Sequence, residues 1–162
     1  MNRVEIFAIL FLVSISFAAL CGGRAERRAA AMLLAAGVLS IFAANPRAIR
    51  FLGVEWRVMA IDLALLAGLV VLSATMPRRW PVWGAGFQLL TVVGHLARLA
   101  YPSALPNAYQ ALTALPAWFI QLLLIAATAQ RLMSGPTGPA DVSFAGFLKR
   151  WMSRRLASRP RR

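Results

Sequence analysis

Five stretches of this chain are too apolar and too long to leave material for a water-soluble core. They cover residues 4–21, 29–44, 58–76, 83–101 and 111–133. At about 1.5 Å of rise per residue, a run of this length approaches or spans a hydrocarbon layer of about 30 Å. The apolar residues follow one another without alternation, which favours helices over a lipid-embedded barrel. Composition agrees: 60% of the 162 residues are hydrophobic and 14% are charged, against about 25% charged in a soluble domain. So short a chain cannot bury that much apolar surface in one aqueous core. The expectation is an all-α, polytopic transmembrane helical bundle of about five spans within residues 1–133. A flexible linker over 134–140 and a basic amphipathic helix in a cytoplasmic tail over 141–162 complete it.

The first run could be mistaken for a secretory signal. Its start holds a single basic residue, Arg3, offset by Glu5, and the large Leu20 precedes Cys21. Although Gly22-Gly23 would permit a cut, a retained span is expected. Arg24, Glu26, Arg27 and Arg28 then read as a stop on the cytoplasmic side. The second run is rich in small residues, among them Ala29, Ala30, Ala35, Ala36, Gly37 and Ser40, so it is expected to pack inside the bundle. Asn45-Pro46 ends it, and residues 47–57 read as an interfacial segment.

With Arg27 inside, five crossings put the N-terminus outside and the C-terminus in the cytoplasm, in a bacterial inner membrane. Thirteen basic residues then fall inside and five outside, but only six against five without the tail. Orientation therefore rests on the first helix and the tail. Trp80 and Trp83 fall at one interface; Trp56, Tyr101 and Tyr109 fall at the other.

The formal charge of +13 comes almost wholly from arginine, with Lys149 the single lysine. A GC-rich bacterial genome supplies such a bias, and so would a need for bidentate phosphate contacts. One cysteine and one histidine exclude an intrachain disulfide and a Cys/His metal site built by this chain alone. No catalytic, cofactor-binding or metal-ligating motif stands out, and no cofactor is expected. Gly84 and Gly86 lack the strand and the later glycine of a nucleotide fingerprint.

Charges at membrane depth invite a functional reading. Asp62 lies fourteen residues before Met76, while His95 and Arg98 lie twelve and fifteen residues after Trp83. These spacings correspond to about 21, 18 and 22 Å from the shared turn, so all three reach one level in the outer part of the bilayer. The geometry predicts an Asp62–Arg98 ion pair with His95 beside it. That cluster is either a proton-relay or ligand site open to the outer surface or a lock between the third and fourth helices. Gln121, near the centre of the last run, is expected to hydrogen-bond another helix. Gln88 and Gln130 fall nearer the cytoplasmic interface and call for no special role. Ser14, Ser16, Ser40 and Ser73 are expected to bond back to their own helices.

In the tail, Phe144, Phe147, Leu148, Trp151 and Met152 recur at helical spacing, with Lys149, Arg150 and Arg154 opposite and Arg155 on the apolar side. Such a helix beside a span is attracted to anionic lipid headgroups. Nucleic acid is the lesser reading, since the membrane anchor and the apolar face both favour lipid, and a third is that the apolar face docks onto a protein partner.

The order of residues 61–129, from an Asp-led helix through RRW and FQLLTVVGHLARL to a Pro-rich loop and AYQAL, resembles small uncharacterised inner-membrane proteins of α-proteobacteria. The resemblance implies an inner-membrane location and carries no activity. Two functions remain open on the sequence. The first is a non-enzymatic accessory or assembly subunit that binds other membrane proteins, copies of itself or anionic lipid. The second is a small transporter, channel or holin-like pore that uses the intramembrane Asp/His/Arg cluster.

Overall fold

The computed structural model describes residues 2–45, 54–76, 78–101 and 106–134. They form five helices and no strand: α1 (Arg3–Cys21), α2 (Arg24–Ala43), α3 (Trp56–Thr75), α4 (Trp80–Ala100) and α5 (Pro106–Ser134). The linker and the tail, with Phe144, Phe147, Leu148, Lys149, Arg150, Trp151, Arg154 and Arg155, lie outside the described residues, as does most of the interfacial segment between α2 and α3.

Local chemistry sets the helix ends. Asn2 caps α1: its Oδ1 accepts the Glu5 N–H at 2.9 Å, while Glu5 Oε2 accepts the Asn2 N–H at 3.1 Å. Two orphan donors of the first turn are thereby satisfied. Gly22 and Gly23 break the chain between α1 and α2. Helix α2 begins at Arg24, five residues before its apolar run, because Glu26 turns back to accept the Gly23 N–H at 2.9 Å. Pro81 sits in the first turn of α4, where its missing N–H costs nothing. Pro116, in contrast, lies inside α5 and is buried.

The helices close into a ring in chain order, with α5 returning to pack on α1 and touching α2 across the middle. Helices α1 and α5 run parallel, since Phe7 meets Trp118 edge-on at 5.1 Å and Arg131 Nη1 donates to the Cys21 carbonyl at 3.3 Å. The core is Leu69, Leu72, Ile120 and Leu124 with the small residues Ala18, Ala29 and Ala30. The outside carries the large apolar side chains: Leu20, Ile41, Phe42, Val71 and Leu122 all face outward. A soluble protein rarely exposes contiguous apolar surface on this scale.

Helices α1, α3 and α5 are long and apolar enough to cross a membrane. Helices α2 and α4, at 20 and 21 residues, are long enough but hold no stretch as continuously apolar as those three. In α2 the polarity is Arg24, Glu26, Arg27 and Arg28 at one end. In α4 it is Gln88, His95 and Arg98, all turned inward and buried.

The small-residue face expected of α2 to pack inside does so in its first half, through Ala29 and Ala30. Farther along, Gly37 admits the Phe11 ring so closely that a Cβ would stand 2.6 Å from it. Ala35 faces outward.

Candidate functional site

Asp62 leaves α3 toward α4 at the level the spacing predicts, and there it meets two partners two helical turns apart. Gln88 Nε2 donates to Asp62 Oδ1 at 2.9 Å and to the Asp62 carbonyl at 3.3 Å. His95 Nε2 lies 3.0 Å from Asp62 Oδ2. The other ring nitrogen, Nδ1, lies 2.7 Å from the Tyr109 hydroxyl, whose oxygen also accepts the Glu55 N–H at 3.4 Å. A single hydrogen-bonded line therefore crosses from α4 to α3, back to α4, on to α5 and to the start of α3.

The expected Asp62–Arg98 pair is corrected here: both carboxylate oxygens of Asp62 are taken by Gln88 and His95. Arg98 sits one turn farther along α4, its Cζ 6.0 Å from the Tyr109 ring centroid, at the edge of cation–π range. Gln88 is no bystander either; it is buried and holds the carboxylate. Tyr109 belongs to the first turn of α5 and seals the line, although the sequence places it in a loop at the interface. Asp62 itself keeps 16% of its side chain accessible, against 2% for His95.

Gln121 is 1% exposed, and its Oε1 has no hydrogen-bond partner among the described residues. A buried carbonyl left unpaired costs about 1–3 kcal/mol. Gln121→Leu is therefore expected to leave thermal stability in detergent unchanged or to raise it by up to about 1 kcal/mol. A loss instead would show that water or another group reaches the amide. Ser14 and Ser73 bond back to the Phe11 and Val70 carbonyls, as expected.

A second polar cluster occupies the opposite end of the bundle, and sequence reasoning missed it. Glu26, read as part of a basic stop, is 1% exposed. Its Oε2 accepts the Gly23 N–H, its Oε1 accepts Trp80 Nε1–H at 3.0 Å, and Arg78 Nε stands 3.8 Å from Oε1. Trp80 is thus buried and bonded, while Trp83 is the exposed aromatic at that end. A Cβ on Gly23 would come within 2.6 Å of Arg131 Nε and 2.9 Å of Glu26 Oε2, so α5 also closes on this corner. The sequence signal was a lone acid three residues after Gly23, in the position that caps a helix.

Between the two clusters Leu69, Leu72, Ile120 and Leu124 pack in the interior, with Gln121 and Thr128 buried among the side chains of α5. On the outer flank, α2 and α3 leave an open apolar groove of about 380 Å³ lined by Met32, Ala35, Ala36, Leu39, Ala60, Ile61, Ala64 and Leu65. No group of three or more metal-ligating side chains occurs among the described residues. Fold and site together define a helical bundle suited to lipid, with one polar cluster toward each end. Comparison with models of known protein families, with curated proteins and with solved structures finds no match to this chain.

Proposed function

We propose that this chain is a five-span protein of the bacterial inner membrane that serves as a non-enzymatic accessory subunit for another membrane protein. Its N-terminus faces outward, and its basic tail rests on anionic lipid at the cytoplasmic side. The observation that carries this reading is the α2–α3 groove. Ala35, Ala36, Ala60 and Ala64 give it a shallow, small-residue lining, and such surfaces let a further helix approach closely in lipid. The polar side chains of the two clusters are turned inward, and this flank offers a partner an open apolar surface. The competing reading, a small transporter or pore, needs a polar path between the Asp62 and Glu26 ends. Leu69, Leu72, Ile120 and Leu124 pack in the interior between those ends and weigh against it.

Purification of the tagged protein from its native membranes in mild detergent tests this. A stoichiometric membrane-protein partner is expected, and Ala64→Phe, which fills the groove from its rim, is expected to reduce its recovery severalfold. Recovery of the chain alone, or of a partner untouched by Ala64→Phe, would overturn the proposed surface.

A further inference from the structure

One side of α2 carries two chemistries in sequence. Arg24, Arg28, Met32, Ala35 and Leu39 recur at spacings of three and four residues, so they share a face of the helix. The last three line the α2–α3 groove, and the two arginines stand beyond its end, where α2 begins. Both arginines are exposed, and neither guanidinium bonds to another described residue. The one acid of α2 does not neutralise them, because Glu26 is turned inward and accepts from Gly23 and Trp80. On the opposite wall Met32 lies against Gly68, where a Cβ would stand 2.7 Å from its Sδ. Ala60 and Ala64 continue that wall.

Dimensions decide what this face can hold. From Arg28 to Leu39 is eleven residues, about 16 Å of helix. One leaflet offers about 15 Å of hydrocarbon. The lining is apolar from Met32 to Leu39, and the guanidiniums lie about one and two turns beyond Met32. A phospholipid has the same order, with a phosphate at the interface and an acyl chain that descends through one leaflet. A spanning helix needs contact over about twice that depth.

We propose that the α2–α3 groove holds one acyl chain of an anionic phospholipid, with its phosphate bound by Arg28 and Arg24. This rests on the five-span reading above, since α2 must stand in lipid. A guanidinium offers phosphate two parallel N–H donors. A zwitterionic headgroup brings a cation with its phosphate, and two guanidiniums with no outward acid beside them repel that cation. The site therefore favours a lipid of net negative charge. A partner helix that docks on this flank displaces the chain, so the lipid is the ligand against which a partner competes.

The purified full-length chain in nanodiscs tests this with phosphatidylglycerol or phosphatidylcholine that carries a diazirine midway along one acyl chain. Irradiation is followed by peptide mass spectrometry, which separates adducts in the groove from adducts on the basic tail. Labelling is expected to concentrate on the groove residues of α2 and α3, with phosphatidylglycerol ahead of phosphatidylcholine about tenfold at equal mole fraction. In Arg24→Gln/Arg28→Gln, where both altered side chains are exposed, the two lipids are expected to label the groove alike. Equal labelling by both lipids in the unaltered chain would overturn the proposal. So would a preference that survives the double substitution, or a groove labelled no more than the outward Leu34, Ile41 and Leu122. A dimer with an unlabelled groove would assign the surface to a second copy and overturn it too. If all of α2 escaped the label while α1, α3 and α5 took it, the five-span reading would fall as well. The other adverse outcomes leave that reading standing.

Discussion

Glu26→Ala is expected to cost about 3–5 kcal/mol, the range for stripping one partner from a buried, hydrogen-bonded charge cluster. The carboxylate accepts from Gly23 and Trp80 and faces Arg78. Truncation leaves two buried donors unanswered and places the Arg78 charge, 11% accessible, beside an apolar gap. For a chain of this size the loss corresponds to a fall in melting temperature of roughly 10 °C. Reversible unfolding in mixed micelles measures it. Trp80→Phe deletes only the indole N–H and is expected to cost about 1–2 kcal/mol. The two changes are expected to be less than additive, since they remove one shared bond. A Glu26→Ala loss below about 1 kcal/mol would mean that water reaches this corner and solvates the donors.

The reason for so large an effect is where the chain passes. Glu26 ties the α1–α2 break to the α3–α4 turn, and the end of α5 joins the same corner through Arg131, which donates to the Cys21 carbonyl. The hydrocarbon of the bilayer cannot substitute for those bonds, because it offers no donors or acceptors.

Much of this architecture was legible in the sequence, because lipid imposes a simple rule. A stretch without charges must be helical and long, and the apolar runs therefore outlined the helices that the structure contains. The common level of Asp62 and His95 followed from the rise per residue alone. Their pairing did not. Arg98 lies three residues beyond His95, hence on nearly the same face of α4, and charge alone made it the natural partner for Asp62. What spacing also held was Gln88, seven residues before His95 and therefore two turns below it. A carboxylate set between those two residues is satisfied by both, and a neutral amide and an imidazole are easier to bring into a helical bundle than a guanidinium.

Tyr109 and Glu26 escaped for a different reason. Each lies where a helix begins amid turn residues or charges, and there composition reads as interface. Helix α5 starts at Pro106, early enough to turn Tyr109 inward. The capping geometry at Gly23 does the same for Glu26. Side chains in the first turn of a helix are aimed by the cap, which a hydropathy profile does not register.

Asp62→Ala is expected to cost about 1–3 kcal/mol. It breaks two bonds between α3 and α4, and interhelical hydrogen bonds in membranes are worth about 0.6 kcal/mol on average and up to about 1.7. The buried Gln88 amide and His95 Nε2 are then left without their acceptor. Asp62→Asn is the informative contrast. Its side-chain oxygen still accepts from Gln88, but its amide now faces His95 Nε2 with a donor. The imidazole can answer by moving its proton to Nδ1 and donating to the Tyr109 oxygen, which preserves the number of bonds. The expected loss for Asn is therefore below about 1 kcal/mol. Equal losses for Ala and Asn would mean that the negative charge of Asp62, and not its bonds, supports the bundle.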